Sequence, residues 1–264
     1  MLKLSQIHKV FNEGTPNEKV ALDRINLTLI AGDFVTVIGS NGAGKSTLMN
    51  MISGVMNPDI GAISIDDQDV TNLPEYKRAK LIGRVFQDPM AGTAPSMTIE
   101  ENLAMAFSRD RSRTLRKGVT KKRKEFFQEI LATLHLGLEN RLTAKVGLLS
   151  GGERQALSLL MATFTEPAIL LLDEHTAALD PARAELITNL TKEIVGKINL
   201  TTLMVTHNMQ QALDLGNRLI MMDNGQIIFE VDEEQKRKLT IEQLLNEFQR
   251  IRGSKMASDR TLLS

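Results

Sequence analysis

Apolar residues recur along the chain with two periods, and the switches between them mark the elements. Residues 2–7 and 25–30 alternate apolar with polar, as half-buried strands do, and GTPNEK between them reads as a turn. FVTVIG (34–39) is a β-branched run that stops at a glycine and leads into the helical pattern STLMNMISGV. NPDIG (57–61) predicts a turn, AISID a short strand after it, and LIGRVFQ (81–87) another strand. From 98 to 164 the pattern is mostly helical. Thr98 and Glu101 in TIEE form a capping box, and FFQEILATLHL (126–136) is amphipathic. AILLLDE (168–174) and TTLMVTH (201–207) are continuous apolar runs of the kind found in buried parallel strands. RLIMM and QIIFE flank DNG (223–225), a tight hairpin turn. Beyond about 235 the chain carries one amphipathic helix, IEQLLNEFQRI, and a polar end expected to be loose.

Strands that alternate with helices predict an α/β core with a mostly parallel sheet. The helical block between the strands ending at 87 and starting at 168 is too long for one crossover, so it reads as a subdomain inserted into that core. No internal repeat is visible.

Composition narrows the function. The 264 residues suffice for one large domain, and 42% apolar residues allow a substantial core. Basic and acidic residues balance at 32 each, which argues against a general nucleic-acid binder. There is no cysteine, hence no disulfide framework and no thiolate metal site, as suits a reducing cytosol. The start, MLKLSQIHKVFNEG, lacks the apolar stretch of a signal peptide, and runs such as AILLL (168–172) are too short to span a bilayer. A soluble protein is expected, able to sit on a membrane only by binding something that spans it.

The chemistry begins at GSNGAGKST. Gly39, Ser40, Asn41, Gly42, Ala43, Gly44, Lys45, Ser46 and Thr47 follow a strand and open a helix, the context that a P-loop requires. Its glycines let backbone N–H groups converge on phosphate oxygens at a helix N-terminus. Lys45 is expected to neutralise the β- and γ-phosphates and Ser46 to bind Mg²⁺. ILLLDE places Asp173 and Glu174 at the carboxyl edge of the sheet, where open α/β sheets bind ligands. Asp173 is expected to hold Mg²⁺ through water, and Glu174 to polarise the attacking water as general base. Gln87, read as the end of one strand, offers a neutral amide to the metal and the water. His207, read as the end of another, can donate to a γ-phosphate or accept from water. LLSGGERQAL (148–157) raises a separate question. Ser150 and Glu153 match a capping box, but Gly151 and Gly152 sit in the first helical turn, where glycine costs about 1 kcal/mol each relative to alanine. Glycines there leave N–H groups open to an anion, which implies a second phosphate site.

In this order the P-loop, Gln87, LSGGE (149–153), ILLLDE followed by AALD (177–180), and His207 resemble the ATP-binding cassette ATPases over about residues 1–232. The resemblance implies a P-loop NTPase (RecA-like) core with an antiparallel β-subdomain and an inserted α-helical subdomain. The core is assigned to 1–87 and 149–232, the helical subdomain to 88–148, and a C-terminal helix and tail to 233–264. It implies that two subunits face each other head to tail, so that Ser150, Gly151 and Gly152 of one contact ATP held by Lys45 of the other. It assigns Phe11 to stacking on adenine and Asp180 to the dimer seam. It implies transmembrane permease subunits as partners, docked on the helical subdomain, a solute-binding protein beside them, and a peripheral place on the cytoplasmic face of the inner membrane.

The sequence departs from the family pattern at four positions: Ala156 replaces an arginine, His175 a proline, Ala177 a serine and Asn217 an aspartate. None of these is a phosphate-contacting group. The DEHTAALDP form resembles bacterial importer cassettes, some linked to aromatic amino-acid uptake. The run 109–124 holds nine basic residues and one acid, and reads as a solvated loop or, more sharply, as a contact with anionic lipid or a permease. The expected function is therefore ATP hydrolysis that drives a membrane importer of small solutes. The rival readings are a soluble ATPase of the iron–sulfur assembly kind and an efflux or lipoprotein-release ATPase.

Overall fold

The computed structural model describes residues 1–109 and 118–250. Residues 110–117, half of the basic run 109–124, and the polar end from 251 lie outside them. Two sheets form. The first is antiparallel, in the order β2-β1-β4-β5, from β1 (Leu2–Phe11), β2 (Lys19–Leu29), β4 (Ile60–Ile65) and β5 (Gln68–Asp69). The second runs β10-β9-β3-β8-β7-β6, from β3 (Phe34–Gly39), β6 (Ile82–Val85), β7 (Ile169–Asp173), β8 (Thr202–Val205), β9 (Arg218–Asp223) and β10 (Gln226–Val231). Its strands are parallel except β10, which pairs antiparallel with β9 through the expected hairpin. Asn224 and Gly225 both have positive φ there, as a tight two-residue turn demands.

The period-2 rule assigns each face of the parallel sheet. Val35 and Val37 of β3, Ile169 and Leu171 of β7, and Leu203 and Val205 of β8 share one buried cluster with α1 (Lys45–Ser53) and the antiparallel sheet. Phe34, Leu170, Leu172 and Met204 point the other way, into a second cluster. Burial on both faces explains why these strands read as unbroken apolar runs.

After the four-residue α2 (Glu75–Arg78) and β6, the helical block contains α3 (Ile99–Phe107) and α4 (Lys121–Ala132). The Thr98–Glu101 capping box forms as the sequence predicts. Phe107, Phe126, Phe127 and Phe164 meet with ring centroids 5.3–6.2 Å apart, tying this block to the end of α5 (Gly151–Thr163). Phe127 and Leu131 lie in the same cluster as Leu170 and Leu172 of the sheet, so helical block and core share hydrophobic contacts. The chain continues through α6 (Pro181–Ile198), α7 (Met209–Asp214) and α8 (Glu233–Lys238) to a helix over 241–250.

The structure corrects several boundaries. β1 and β2 extend to Phe11 and back to Lys19, well beyond 2–7 and 25–30. Their register shifts between Leu4 and Ile7 and again between Ile7 and Lys9, and Gln6 and Arg24 take positive φ, so the alternation is interrupted while the pairing continues. β6 and β8 end at Val85 and Val205, two residues short of Gln87 and His207, which belong to the following loops. The C-terminal region has a second helix, α8, which the periodicity does not reveal.

Candidate functional site

The P-loop joins β3 to α1 and is held from outside itself. Gly44, the N-cap of α1, has φ 100°, and a Cβ there would lie 2.4 Å from the Ala21 carbonyl oxygen. The hairpin turn between β9 and β10 braces the loop as well. Ser40 Oγ donates to Asp223 Oδ1 at 2.9 Å, and the Gly225 N–H donates to the Ala43 carbonyl at 3.0 Å. Lys45 is 5% exposed, and its ammonium donates to the Gly39 and Ser40 carbonyls at 2.8 and 2.9 Å. Burial lowers its pKa, opposed by the charges of Glu174 and Asp173.

Asp173 ends β7, and Glu174 follows with φ 48°, its N–H donating to the Val205 carbonyl at 2.9 Å. This turn brings Glu174 Oε1 to 2.5 Å from His207 Nε2. A cavity of about 230 Å³ brings together Phe11, Lys19, Asn41–Thr47, Glu174 and His207. Phe11 and Lys19 stand opposite each other where β1 and β2 end, so the hairpin forms one wall. Glu174 and His207 also border a larger cleft of about 750 Å³ against α6 and α7.

The loops that carry Glu174 and His207 are joined by one amide. Gln211 of α7 accepts from Thr206 Oγ1 at 2.8 Å, and donates to Thr176 at 3.2 Å and to Thr188 of α6 at 3.0 Å. His175, in the family's proline position, is fully buried, and burial pushes its pKa down to about 4. Its Nε2 lies 3.0 Å from Thr191 Oγ1. That hydroxyl donates its proton to the Ile187 carbonyl, so His175 is the donor, a neutral ring fastening the Glu174 turn to α6.

Ser150, Gly151 and Gly152 line neither cavity. The Ser150–Glu153 capping box forms: Glu153 N–H donates to Ser150 Oγ at 3.3 Å, and Ser150 N–H to Glu153 Oε2 at 2.7 Å. Although burial opposes it, those bonds and Arg141 hold the Glu153 carboxyl below its ordinary pKa. Ser150 uses its oxygen as acceptor here, which leaves its hydroxyl proton available to an outside acceptor. Gly152 lies beside the exposed Arg183 side chain, and a Cβ there would stand 3.2 Å from Arg183 Cδ. Asp180 caps α6 by accepting from the Arg183 N–H at 3.1 Å. The signature and Asp180 therefore adjoin each other, apart from the P-loop cavity.

Gln87 lines neither cavity, but the carbonyl of its neighbour Phe86 accepts from Gln155 Nε2 of α5 at 3.2 Å. Sequence reasoning missed Arg84 of β6, which pairs with Asp173 at 3.1 Å. Its signal was available: one charge in the otherwise apolar strand IGRV. The Asp223–Gly225 brace and Gln211 left no such signal. Ser46, Asp173 and Gln87 offer hydroxyl, carboxylate and amide oxygens, a hard donor set that suits Mg²⁺. Among the described residues no cluster of three or more His, Cys, Asp or Glu could hold a metal.

The ABC transporter family model matches residues 22–177. The chain is similar to a tyrosine transport ATP-binding protein of Clostridioides difficile (strain R20291), with 43% identity over 249 residues, 94% of this chain and 99% of that one. It is similar to the methionine import ATP-binding protein MetN 1 of Bacillus thuringiensis subsp. konkukian (strain 97-27), with 33% identity over 248 residues, 91% of this chain and 70% of that one. Among solved structures it resembles a dimeric ATP-binding cassette in a post-hydrolysis state bound to ADP and Pi. The TM-score is 0.75 at 30% identity, covering 88% of this chain and 99% of that one.

Proposed function

The chain belongs to the ABC transporter family of ATP-binding cassette ATPases, and from that premise we propose that it drives a membrane importer of small solutes, with amino acids as the favoured class. ATP occupies the cavity between Phe11, against which adenine stacks, and the P-loop, whose N–H groups and Lys45 hold the phosphates. Ser46, Asp173 and Gln87 would hold Mg²⁺, which would supply charge neutralisation for the transferred phosphate. Glu174 takes a proton from the attacking water as its oxygen bonds to the γ-phosphorus and the bond to the β–γ bridging oxygen breaks, leaving ADP and phosphate. His207 orients Glu174 through the 2.5 Å contact and reaches the γ-phosphate on closure.

One observation carries this reading: the two phosphate-seeking helix starts, at Lys45 and at Ser150, do not share a cavity within one chain. A second copy turned head to tail supplies the missing half, with Ser150, Gly151 and Gly152 presented to the partner's nucleotide and Asp180 at the seam. ATP then binds best in the closed pair, so binding drives closure and hydrolysis releases it. Among the described residues no helix is long and apolar enough to cross a membrane. The likeness to transport and import ATP-binding proteins supports assigning the membrane step to permease subunits, docked on the helical block from the cytoplasmic face, with a solute-binding protein delivering cargo from the other side.

Affinity capture of the chain from gently detergent-solubilised cells, followed by mass spectrometry, tests the proposal. A multi-span permease and a solute-binding lipoprotein are the expected partners. Recovery of soluble proteins alone would overturn transport and favour a soluble assembly ATPase.

A further inference from the structure

Arg84 projects from β6 on the face of the sheet that carries Asp173, for it registers with Leu171 of β7 and Asp173 lies two residues on. Its Nη2 donates to Asp173 Oδ2 and its Nη1 to Ser53 Oγ at the end of α1, each at 3.1 Å. The guanidinium carbon lies 4.7 Å from the Phe86 ring centroid. Both charged side chains are largely buried, at 12% and 16% exposure, and the Arg84 Nε–H is buried without a partner. A buried cation with an unmet donor is unfavourable on its own account. It is the one charge in a strand whose other side chains are apolar. What Arg84 does supply is positive charge against Asp173.

The charges around this point balance before any nucleotide arrives. Lys45 feels both Asp173 and Glu174, and Arg84 pairs with Asp173, so two cations stand with two carboxylates. A divalent cation approaching alone meets no net negative charge in this cluster, finds Lys19 in the adjoining cavity, and has one carboxylate oxygen already engaged. Nucleotide phosphates add negative charge and tip the balance toward metal. We propose that Arg84 is a resident counter-ion of Asp173 that keeps a bare divalent cation off this carboxylate, so that metal occupancy becomes conditional on nucleotide. The inference rests on the reading of Asp173 as a metal ligand. Arg84 is in these terms a positioning residue: it acts through Asp173.

Titration of the nucleotide-free full-length chain with Mn²⁺ alone, followed by electron paramagnetic resonance, tests it. Arg84→Met is expected to bind Mn²⁺ about three- to ten-fold more tightly than wild type, since one unit of opposing charge is removed at close range. Arg84→Lys, which keeps the charge, stays within about twofold of wild type. Adding Asp173→Asn to Arg84→Met abolishes the gain. If Arg84→Met does not fold, Arg84→Gln carries the same expectation. Equal or weaker Mn²⁺ binding in the neutral variants, including no detectable binding in any chain, would overturn the inference. Failure of the proposed function is a different result, absence of ATP binding and hydrolysis in wild type, which this titration does not read.

Discussion

His207 Nε2 and Glu174 Oε1 meet at 2.5 Å although the two residues lie in different loops, after β8 and β7. The contact depends on a left-handed turn at Glu174 and on Gln211, which ties Thr206 to Thr176. It fixes which carboxylate oxygen faces the imidazole and leaves the other for water.

The first prediction concerns that carboxylate. Glu174→Gln keeps the shape and removes the base, so ATP hydrolysis is expected to fall by about 10²–10⁴-fold while ATP binding persists. Phosphate release and equilibrium binding of a fluorescent ATP analogue measure the two separately. Hydrolysis equal to wild type would remove Glu174 from the assigned role.

The two-copy site can be tested by complementation. Lys45→Ala disables the P-loop and Gly152→Asp the signature, so each chain alone should be inactive. Mixed one to one, random pairing gives half the dimers one intact composite site, or about a quarter of wild-type activity. No recovery on mixing, with both chains folded and dimeric, would mean that Ser150–Gly152 does not act across the interface.

Asn217, where the family usually has aspartate, accepts from the Phe34 N–H at 2.8 Å and donates to Asp33 Oδ1 at 3.3 Å. Asn217→Asp sets a second carboxylate against Asp33. The new group's folded pKa is raised above its unfolded value, so the penalty of about 1 kcal/mol is present at neutral pH and fades as pH falls toward 4. Urea unfolding at pH 7 and pH 4 measures it, and a pH-independent loss would contradict the account.

Lys236 of α8 is 5% exposed, and its ammonium meets Thr36 Oγ1 and the Leu215, Gly216 and Arg218 carbonyls. Burial pushes its pKa from 10.5 down to about 8, partly offset by Asp214. Below pH 8 both folded and unfolded chains carry this proton. Between about 8 and 10.5 the unfolded chain holds more of it, so stability rises with pH, by at most ~1.4 kcal/mol per pH unit. Lys236→Met should remove that rise. Parallel slopes for mutant and wild type in urea unfolding from pH 8 to 10 would show that Lys236 does not titrate as described.

How much the sequence disclosed follows from the range of each interaction. Lys45, Asp173 and Glu174 were legible because a strand's end and a glycine loop are local signals, and β3 and β7 emerge at the expected residues. Gln87 and His207 were assigned to strand ends but lie two residues beyond them, in the loops that follow β6 and β8. The bulges in β1 and β2 hid long strands from a period-2 reading. Arg84–Asp173, Ser40–Asp223 and the Gln211 bridge join positions 89, 183 and 35 apart, which no local pattern encodes.

The strand that carries the P-loop has neighbours made late. β3 ends at residue 39, yet its partners in the sheet are β8 at 202–205 and β9 at 218–223, and the turn that braces the loop ends at 225. On a ribosome that releases the chain from its amino end, the nucleotide pocket stays unfinished until residue 225 has emerged. Pairing at such separation is slow to form. The P-loop therefore takes its final shape only after the segment 202–225 has been made. A message cut short anywhere before codon 202 yields a chain that carries the P-loop sequence without the sheet that shapes it.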